Sequence, residues 1–175
     1  RGSRFAINQD NASGFGIAID NIRNDTASSG GILITNNETS GTFDALSFLN
    51  SGNQEIGSVT TSNSSTAFGT SSDYRLKENI TYDFDATTRL KKLKPARFNF
   101  KVDTDNTIDG FLAHEVSDIV PNSIRGAKDQ VDSKGNPIYQ NIDHSKLVPL
   151  LTKALQEAVA KIETLEAKVT ALESK

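Results

Sequence analysis

The sequence contains no cysteine, methionine or tryptophan in its 175 residues. Without cysteine it cannot build a disulfide framework, a cysteine-based zinc cluster or a c-type haem attachment. Its two histidines, His114 and His144, lie far apart and no third metal ligand accompanies them in a recognisable pattern. We therefore assign neither histidine to a metal site or a catalytic triad, and we expect no metal and no cofactor.

Long hydrophobic runs are also absent, and only 35% of the residues are hydrophobic. No segment approaches the roughly 20 apolar residues that a membrane-spanning helix requires. The formal net charge of −3 gives no electrostatic reason to bind a nucleic acid or an anionic membrane. We therefore expect no nucleic-acid partner and no membrane insertion.

The two halves of the chain differ in composition. Residues 1–71 hold nine of the 12 glycines but no lysine and no proline, and they are rich in Asn, Ser and Thr. Short segments of β-prone residues recur there between polar turns, at 15–19, 32–35, 45–49 and 55–60. These segments have few large apolar residues, so we predict that residues 1–72 form a β-rich fibre segment whose core is shared by three chains. A Ser- and Asn-rich linker is the alternative.

The second half predicts a small α+β domain over residues 73–146. A short amphipathic helix at 85–93 is ended by Pro95, and a strand follows at 97–102. Residues 108–120 predict a strand leading into a helix, and a turn at 132–137 is expected to join two hairpin strands.

The clearest periodicity lies in residues 147–175, which predict a long C-terminal helix. Apolar residues repeat every seven positions, as in a coiled coil, with Lys161 and Lys168 at g positions and Glu166 and Glu173 at the following e positions. This pattern favours parallel homo-oligomers. A single amphipathic helix packed on its own domain is the alternative. The a residues are Val148, Leu155, Ile162 and Val169, and the d residues are Leu151, Ala158, Leu165 and Leu172.

The boundary between the halves carries the sequence TSSDYRLKENI, from Thr70 to Ile80. It resembles the Ser-Asp-x-Arg-Leu-Lys-x-Asn-Ile signature of the S74 peptidases, the C-terminal intramolecular chaperones of bacteriophage tail fibres, tailspikes and endosialidases. Further similarity extends over residues 58–175, in the segments LKKLKP, DGFLAHEV, YQNIDH and LVPLL. A helix N-cap or a turn would be the ordinary use of Ser72 and Asp73, but the surrounding signature argues against it.

The resemblance implies a homotrimeric folding helper that acts on the upstream fibre segment of the same chain and then releases itself. It implies cleavage between Ser72 and Asp73, with Ser72 as nucleophile and Lys77 as base, in a single-turnover serine endopeptidase. It places the mature fibre in the phage virion tail, where it could bind a host-surface receptor, and the chaperone's release in the host cytoplasm. His114 stands where the family leads us to expect Gln, and this departure does not touch the dyad.

The proposed dyad also has a physical rationale. A serine hydroxyl is a poor nucleophile until a neighbouring base takes its proton, and Lys77 can do so only when it is neutral. A folded, water-poor site favours the neutral amine, so cleavage should report completed assembly. Two chemistries remain open: attack by Ser72 Oγ on its own carbonyl to form an ester, or activation of water by Lys77 without an ester.

The spacing of Ser72 and Lys77 restricts how the two side chains can meet. On a strand they would lie roughly 16 Å apart on opposite faces, and on a helix they would diverge by about 140°. Either the chain turns sharply between them, or Lys77 comes from a neighbouring subunit. We favour the neighbouring subunit, because it would connect cleavage directly to assembly.

The sequence leaves one alternative function open and argues against another. A non-cleaving structural tip that trimerises a receptor-binding fibre is the alternative to the self-cleaving chaperone. Glu115 and Asp118 are three residues apart on a predicted helix, but exposed carboxylates on a helix are common and we do not interpret them as a glycosidase acid pair.

Overall fold

A computed structural model of the chain describes Ile34 and residues 41–174. The chain divides into two compact units, residues 1–79 and residues 80–175. The predicted strands at 15–19 and 32–35 lie outside the described residues, apart from Ile34, which is exposed. The architecture is α+β with small sheets and a long C-terminal helix, as the sequence predicts.

The first unit contains an antiparallel three-stranded sheet in the order β1–β2–β3. Its strands are β1 (Thr42–Leu49), β2 (Glu55–Ser62) and β3 (Thr66–Thr70). The first two confirm the strands predicted at 45–49 and 55–60. The turn between them is closed by Asn50, whose side-chain oxygen accepts hydrogen bonds from the backbone N–H groups of Gly52 (2.9 Å) and Gln54 (3.0 Å).

This sheet has little core of its own. None of the described residues of the first unit is buried, and large apolar side chains such as Leu46, Phe48 and Phe68 are exposed. A three-stranded sheet needs an apolar face covered by something to be stable. The exposure agrees with the expectation that the core of this region forms between chains, although the trimer itself stays a prediction.

The described part of the second unit contains three α-helices and four strands, which surround a core of its own. Its helices are α1 (Ala86–Leu90), α2 (Ala113–Ser117) and α3 (Val148–Glu173). Its strands are β4 (Ala96–Phe100), β5 (Asp103–Gly110), β6 (Ile124–Arg125) and β7 (Asn141–Ile142), which form two separate antiparallel pairs, β4–β5 and β6–β7. The buried apolar residues are Ala86, Val116, Val120, Leu147, Leu150 and Ala154.

The elements of this unit follow the sequence signals closely. Asp85 caps α1, because its side chain accepts a hydrogen bond of 3.0 Å from the N–H of Thr88. The predicted strand at 97–102 is β4, and the predicted strand-to-helix passage at 108–120 corresponds to the end of β5 and to α2.

The turn predicted at 132–137 is present, and it lies between β6 and β7, which pair antiparallel on either side of it. The structure has a single bridge there, between Val131 and Pro137. The Asp132 side chain accepts hydrogen bonds from the N–H groups of Lys134 (2.8 Å) and Asn136 (2.9 Å), so the chain folds into a tight loop. Pro137 has no N–H to donate to a longer ladder.

Helix α3 uses two faces. Leu150 and Ala154 are buried in the core of the second unit, whereas the a and d residues are exposed along the whole helix. Examples are Leu155 at 65% exposed and Leu172 at 68%. Residues 158–174 are exposed without exception. The alternative of a helix packed on its own domain therefore describes only the first turns, and the coiled-coil stripe is left uncovered.

Glu157 joins α3 to the start of α1. Its carboxylate accepts hydrogen bonds from the N–H groups of Thr87 (2.9 Å) and Ala86 (3.4 Å) and from the Thr87 hydroxyl. These N–H groups have no partner within α1 because they lie in its first turn. The hydrogen bond from the Thr87 side chain, followed by those from the backbone N–H groups, lowers the pKa of Glu157 below its ordinary value of 4.5.

We expect Glu157→Gln to lower the melting temperature near neutral pH. The substitution keeps the shape of the side chain but removes the charge that the two N–H groups stabilise. Because the folded pKa is lowered, the stabilisation is present above the ordinary value of 4.5 and is lost as the pH falls through the folded pKa. Melting curves by circular dichroism between pH 3 and pH 7 should show wild type and variant converging in acid. Glu163→Gln, on an exposed position of α3, is the control. A difference independent of pH would contradict this explanation.

Candidate functional site

The candidate site begins where β3 ends. Ser71 follows β3 and remains attached to the sheet, since its N–H donates to the Ile56 carbonyl (3.1 Å) and its hydroxyl donates to the Glu55 carbonyl (2.8 Å). The residue immediately before Ser72 is therefore fixed against β2. This anchor belongs to the sheet ladder and was not predicted from the sequence.

A single turn of 3-10 helix follows, over Tyr74–Leu76. Asp73 is its N-cap, because its side chain accepts a hydrogen bond of 2.8 Å from the N–H of Arg75. The turn is closed by backbone bonds from Leu76 N–H to the Asp73 carbonyl (3.2 Å) and from Lys77 N–H to the Tyr74 carbonyl (3.1 Å). A 3-10 turn rises less than a strand and reverses the chain enough to return Lys77 towards Ser72.

The two predicted catalytic side chains meet at this turn. Lys77 Nζ lies 2.6 Å from Ser72 Oγ and 3.0 Å from the carbonyl oxygen of Ser72. Both distances lie within the range that proton transfer requires. The contact forms within one chain, so the preference for a Lys77 from a neighbouring subunit is not needed. The 3-10 turn supplies the sharp turn between Ser72 and Lys77 that was the other possibility.

Asp73 forms a forked ion pair with Arg75 beside the dyad. Arg75 Nε donates to Oδ1 at 2.9 Å and Nη2 donates to Oδ2 at 2.8 Å. The guanidinium, together with the Arg75 N–H, holds the pKa of the Asp73 carboxyl below its ordinary value. The carboxylate in turn raises the pKa of Arg75. Asp73 is therefore ionised. Both of its carboxylate oxygens bind Arg75, directly after the predicted scissile bond.

Solvent reaches the dyad in the single chain. Ser72 and Lys77 are both exposed, and so are Asp73 and Arg75 around them. The condition of a water-poor site around the lysine is thus not met by the described residues of one chain. The single chain places Lys77 Nζ within hydrogen-bonding distance of Ser72 Oγ, but it does not shield the amine from water.

The other candidate residues lie in the second unit. His114 is partly buried in α2, and the ring of His144 lies 6.4 Å from that of Phe111. No group of three or more possible metal-ligating side chains occurs among the residues that the structure describes. Glu115 forms an ion pair of 3.2 Å with Lys94, which is an ordinary use of a carboxylate on a helix. Within residue 34 and residues 41–174, no helix combines the length and the hydrophobicity needed to cross a membrane.

Arg75 and Ser71 are the residues that sequence reasoning passed over. Arg75 belongs to the motif. It lies two residues after Asp73, which is close enough for its side chain to reach back across a turn. No comparable signal marked Ser71, whose hydrogen bonds depend on the pairing of β2 with β3.

Comparison with known proteins shows what this segment is similar to. No curated protein matches the chain. Residues 72–125, less than a third of the chain, match the model of the S74 peptidase family, which is described as the chaperone of endosialidase. The matched segment includes Ser72, Asp73, Arg75 and Lys77, and it supports a chaperone role. The resemblance inferred from the sequence is thereby confirmed: residues 72–125 are similar to the S74 peptidase family, the chaperone of endosialidase.

Proposed function

We propose that this chain is an intramolecular chaperone that drives the trimerisation and folding of a phage tail fibre or tailspike and then releases itself by cutting between Ser72 and Asp73. The observation that carries the proposal is the contact of Lys77 Nζ with both Ser72 Oγ and the Ser72 carbonyl oxygen, inside the segment that matches the chaperone family. The upstream fibre segment is its folding client, and the enzyme turns over once.

The reaction breaks the bond between the Ser72 carbonyl carbon and the Asp73 nitrogen. Water supplies the hydroxyl that completes the carboxyl group of Ser72 and the proton that completes the amine of Asp73. Lys77, when neutral, accepts a proton from Ser72 Oγ or from water and then returns it to the leaving nitrogen. Its position 3.0 Å from the Ser72 carbonyl oxygen also lets the protonated amine stabilise the negative charge that develops there.

The two chemistries left open by the sequence differ in geometry. Attack by Ser72 Oγ on its own carbonyl carbon closes a strained four-membered ring, whereas attack on the carbonyl carbon of Ser71 closes a five-membered ring. An ester route therefore favours a cut before Ser72. A cut after Ser72 favours attack by water on the carbonyl that Lys77 contacts.

Trimer formation would supply the water-poor environment that Lys77 lacks in the single chain. The uncovered stripe on α3 has the g-to-e charge pattern of a parallel coiled coil, and the sheet of the first unit has no buried residue in its described part. Three chains packed along these surfaces would also exclude water from Lys77. Cleavage would then follow assembly, which takes place in the host cytoplasm, and leave the mature fibre on the virion tail to engage a host-surface receptor.

The identity of the C-terminal fragment tests the proposal. We expect purified wild-type protein to yield fragments 1–72 and 73–175 by mass spectrometry, with Asp73 as the first residue in amino-terminal sequencing. A fragment that begins with Ser72 would overturn the assigned bond and identify the five-membered ester route. A chain that trimerises and stays intact at all times would overturn the peptidase and leave the non-cleaving trimerisation tip.

A further inference from the structure

We propose that Arg75 is a positioning residue for this cleavage: its fork on Asp73 holds the 3-10 turn that presents Lys77 to Ser72. The inference rests on the proposed self-cleavage and adds a residue to its machinery. Arg75 does not touch the reacting atoms. It acts on them through Asp73 and through the turn that separates Ser72 from Lys77.

Three donors of one residue converge on one carboxylate. The backbone N–H, Nε and Nη2 of Arg75 lie 2.8 Å, 2.9 Å and 2.8 Å from the two oxygens of Asp73. A guanidinium that binds both oxygens of a carboxylate fixes its orientation as well as its charge. Asp73 is also the residue that follows the predicted scissile bond, so its orientation determines how that bond is presented.

The turn has little else to hold it. One 3-10 turn fixes several dihedral angles for only two backbone hydrogen bonds, and short turns of this kind are marginal alone. Its side chains add no buried packing, because Tyr74 is 76% exposed and Leu76 is 64% exposed. Among the described residues, two side-chain contacts bridge the turn: the contact of Lys77 with Ser72, and the ion pair of Asp73 and Arg75.

The opposite end of the reactive segment is fixed independently. Ser71 is bonded to the carbonyl groups of Glu55 and Ile56 on β2. Ser72 therefore lies between an anchor on the sheet and an anchor on the turn. Loosening the second anchor leaves Ser72 in place but lets Lys77 move away, so the loss should affect the cleavage rate and leave the fold unchanged.

The second unit provides a matched control. Arg97 forms the same type of fork on Asp109, with contacts of 2.8 Å and 3.1 Å, and its side chain is 74% exposed, as is that of Arg75. Arg75→Met and Arg97→Met therefore each remove a forked ion pair whose arginine is 74% exposed. Only the first pair adjoins the dyad.

The test measures the first-order rate of cleavage during cell-free synthesis, together with sedimentation and melting of each trimer. We expect Arg75→Met to cut about three- to fivefold more slowly, as the loss of one exposed pair implies, with Arg97→Met at the wild-type rate. Exchanging the charges, in Asp73→Arg with Arg75→Asp, should recover only part of the rate lost in Arg75→Met, because arginine at position 73 cannot accept the hydrogen bond that caps the turn.

Several outcomes would overturn the inference. Arg75→Met that cuts at the wild-type rate, while Ser72→Ala stays intact, removes the role of Arg75 and leaves the proposed cleavage standing. A wild-type chain that never cuts removes both. If Arg75→Met fails to form trimers, Arg75→Lys decides, since it keeps the charge without the fork. Arg75→Lys should also be slow, and cleavage at the wild-type rate contradicts the proposal.

Discussion

Ser72→Ala is expected to give a folded trimer of intact chains. The substitution deletes the hydroxyl that lies 2.6 Å from Lys77 Nζ, and it touches neither the core of the second unit nor the apolar stripe on α3. Ser72 Oγ is either the nucleophile or the hydroxyl that contacts the base while water attacks. Loss of a group that acts together with the base slows such reactions on the order of a thousandfold or more. Gel electrophoresis and intact-mass measurement should show one species covering residues 1–175, where wild type yields two fragments.

The neighbouring serine supplies the control. Ser71→Ala removes a hydroxyl one residue away that donates to the Glu55 carbonyl and leaves the contact of Lys77 with Ser72. This variant should still be cut, because the N–H of residue 71 keeps its hydrogen bond to the Ile56 carbonyl and so holds Ser72 on the sheet. Fragments 1–72 and 73–175 from Ser72→Ala, in amounts near those of wild type, would remove Ser72 from the mechanism.

The base can be tested by the same assay. Lys77→Arg preserves the charge and much of the reach of the side chain, but a guanidinium does not give up its proton near neutral pH. It should therefore leave the chain intact, as Ser72→Ala does. Cleavage by Lys77→Arg would show that the contact of Lys77 with Ser72 serves structure only.

The pair Ile162→Asp with Leu165→Asp is expected to abolish both the trimer and the cut. The two residues occupy successive a and d positions, and in the single chain they are 53% and 50% exposed. A coiled coil would bury them, and each unpaired carboxylate taken out of water costs several kcal/mol. Three chains would bury six such groups, which exceeds what a short seam can offset.

Sedimentation velocity and the cleavage gel together measure this effect. Thr164→Asp with Ala167→Asp adds the same charge and the same weak helix formers to the same turns of α3, away from the a and d positions. This control should trimerise and be cut. Normal trimers of Ile162→Asp with Leu165→Asp would refute the coiled coil, and cleavage by its monomers would separate the reaction from assembly.

The sequence predicted those elements that are specified by short-range signals. The helix predicted at 85–93 and the long helix predicted at 147–175 depend on signals within a few residues, and both are present as α1 and α3. The coiled coil that the seven-residue repeat favours stays a prediction. Strand β3 was missed because Thr66–Thr70 contains Gly69 and only one large apolar side chain, Phe68. Its position is determined by pairing with β2, which is a contact between distant residues.

The candidate site was predictable in its residues but not in its geometry. The motif identified Ser72 and Lys77, since it records which side chains occur together. The distance between them depends on a 3-10 turn and on the fork of Arg75, and neither has the periodicity that reveals a strand or a helix. The roles of Ser72 and Lys77 in cleavage stay predictions until the fragments are measured.

The two faces of α3 also fix the angle between the core of the second unit and the exposed stripe. The residues that bury the helix in its own unit, Leu150 and Ala154, each precede a residue of the exposed stripe, Leu151 and Leu155, by one position. One residue along an α-helix is a rotation of about 100°, so each globular unit lies beside the stripe and cannot lie on top of it. In the proposed trimer, the cores of the three second units would therefore lie around the outside of the coiled coil. Their orientation around the coiled coil would be set by the angle between the buried and the exposed face of α3, and it would require no contact between one second unit and the next.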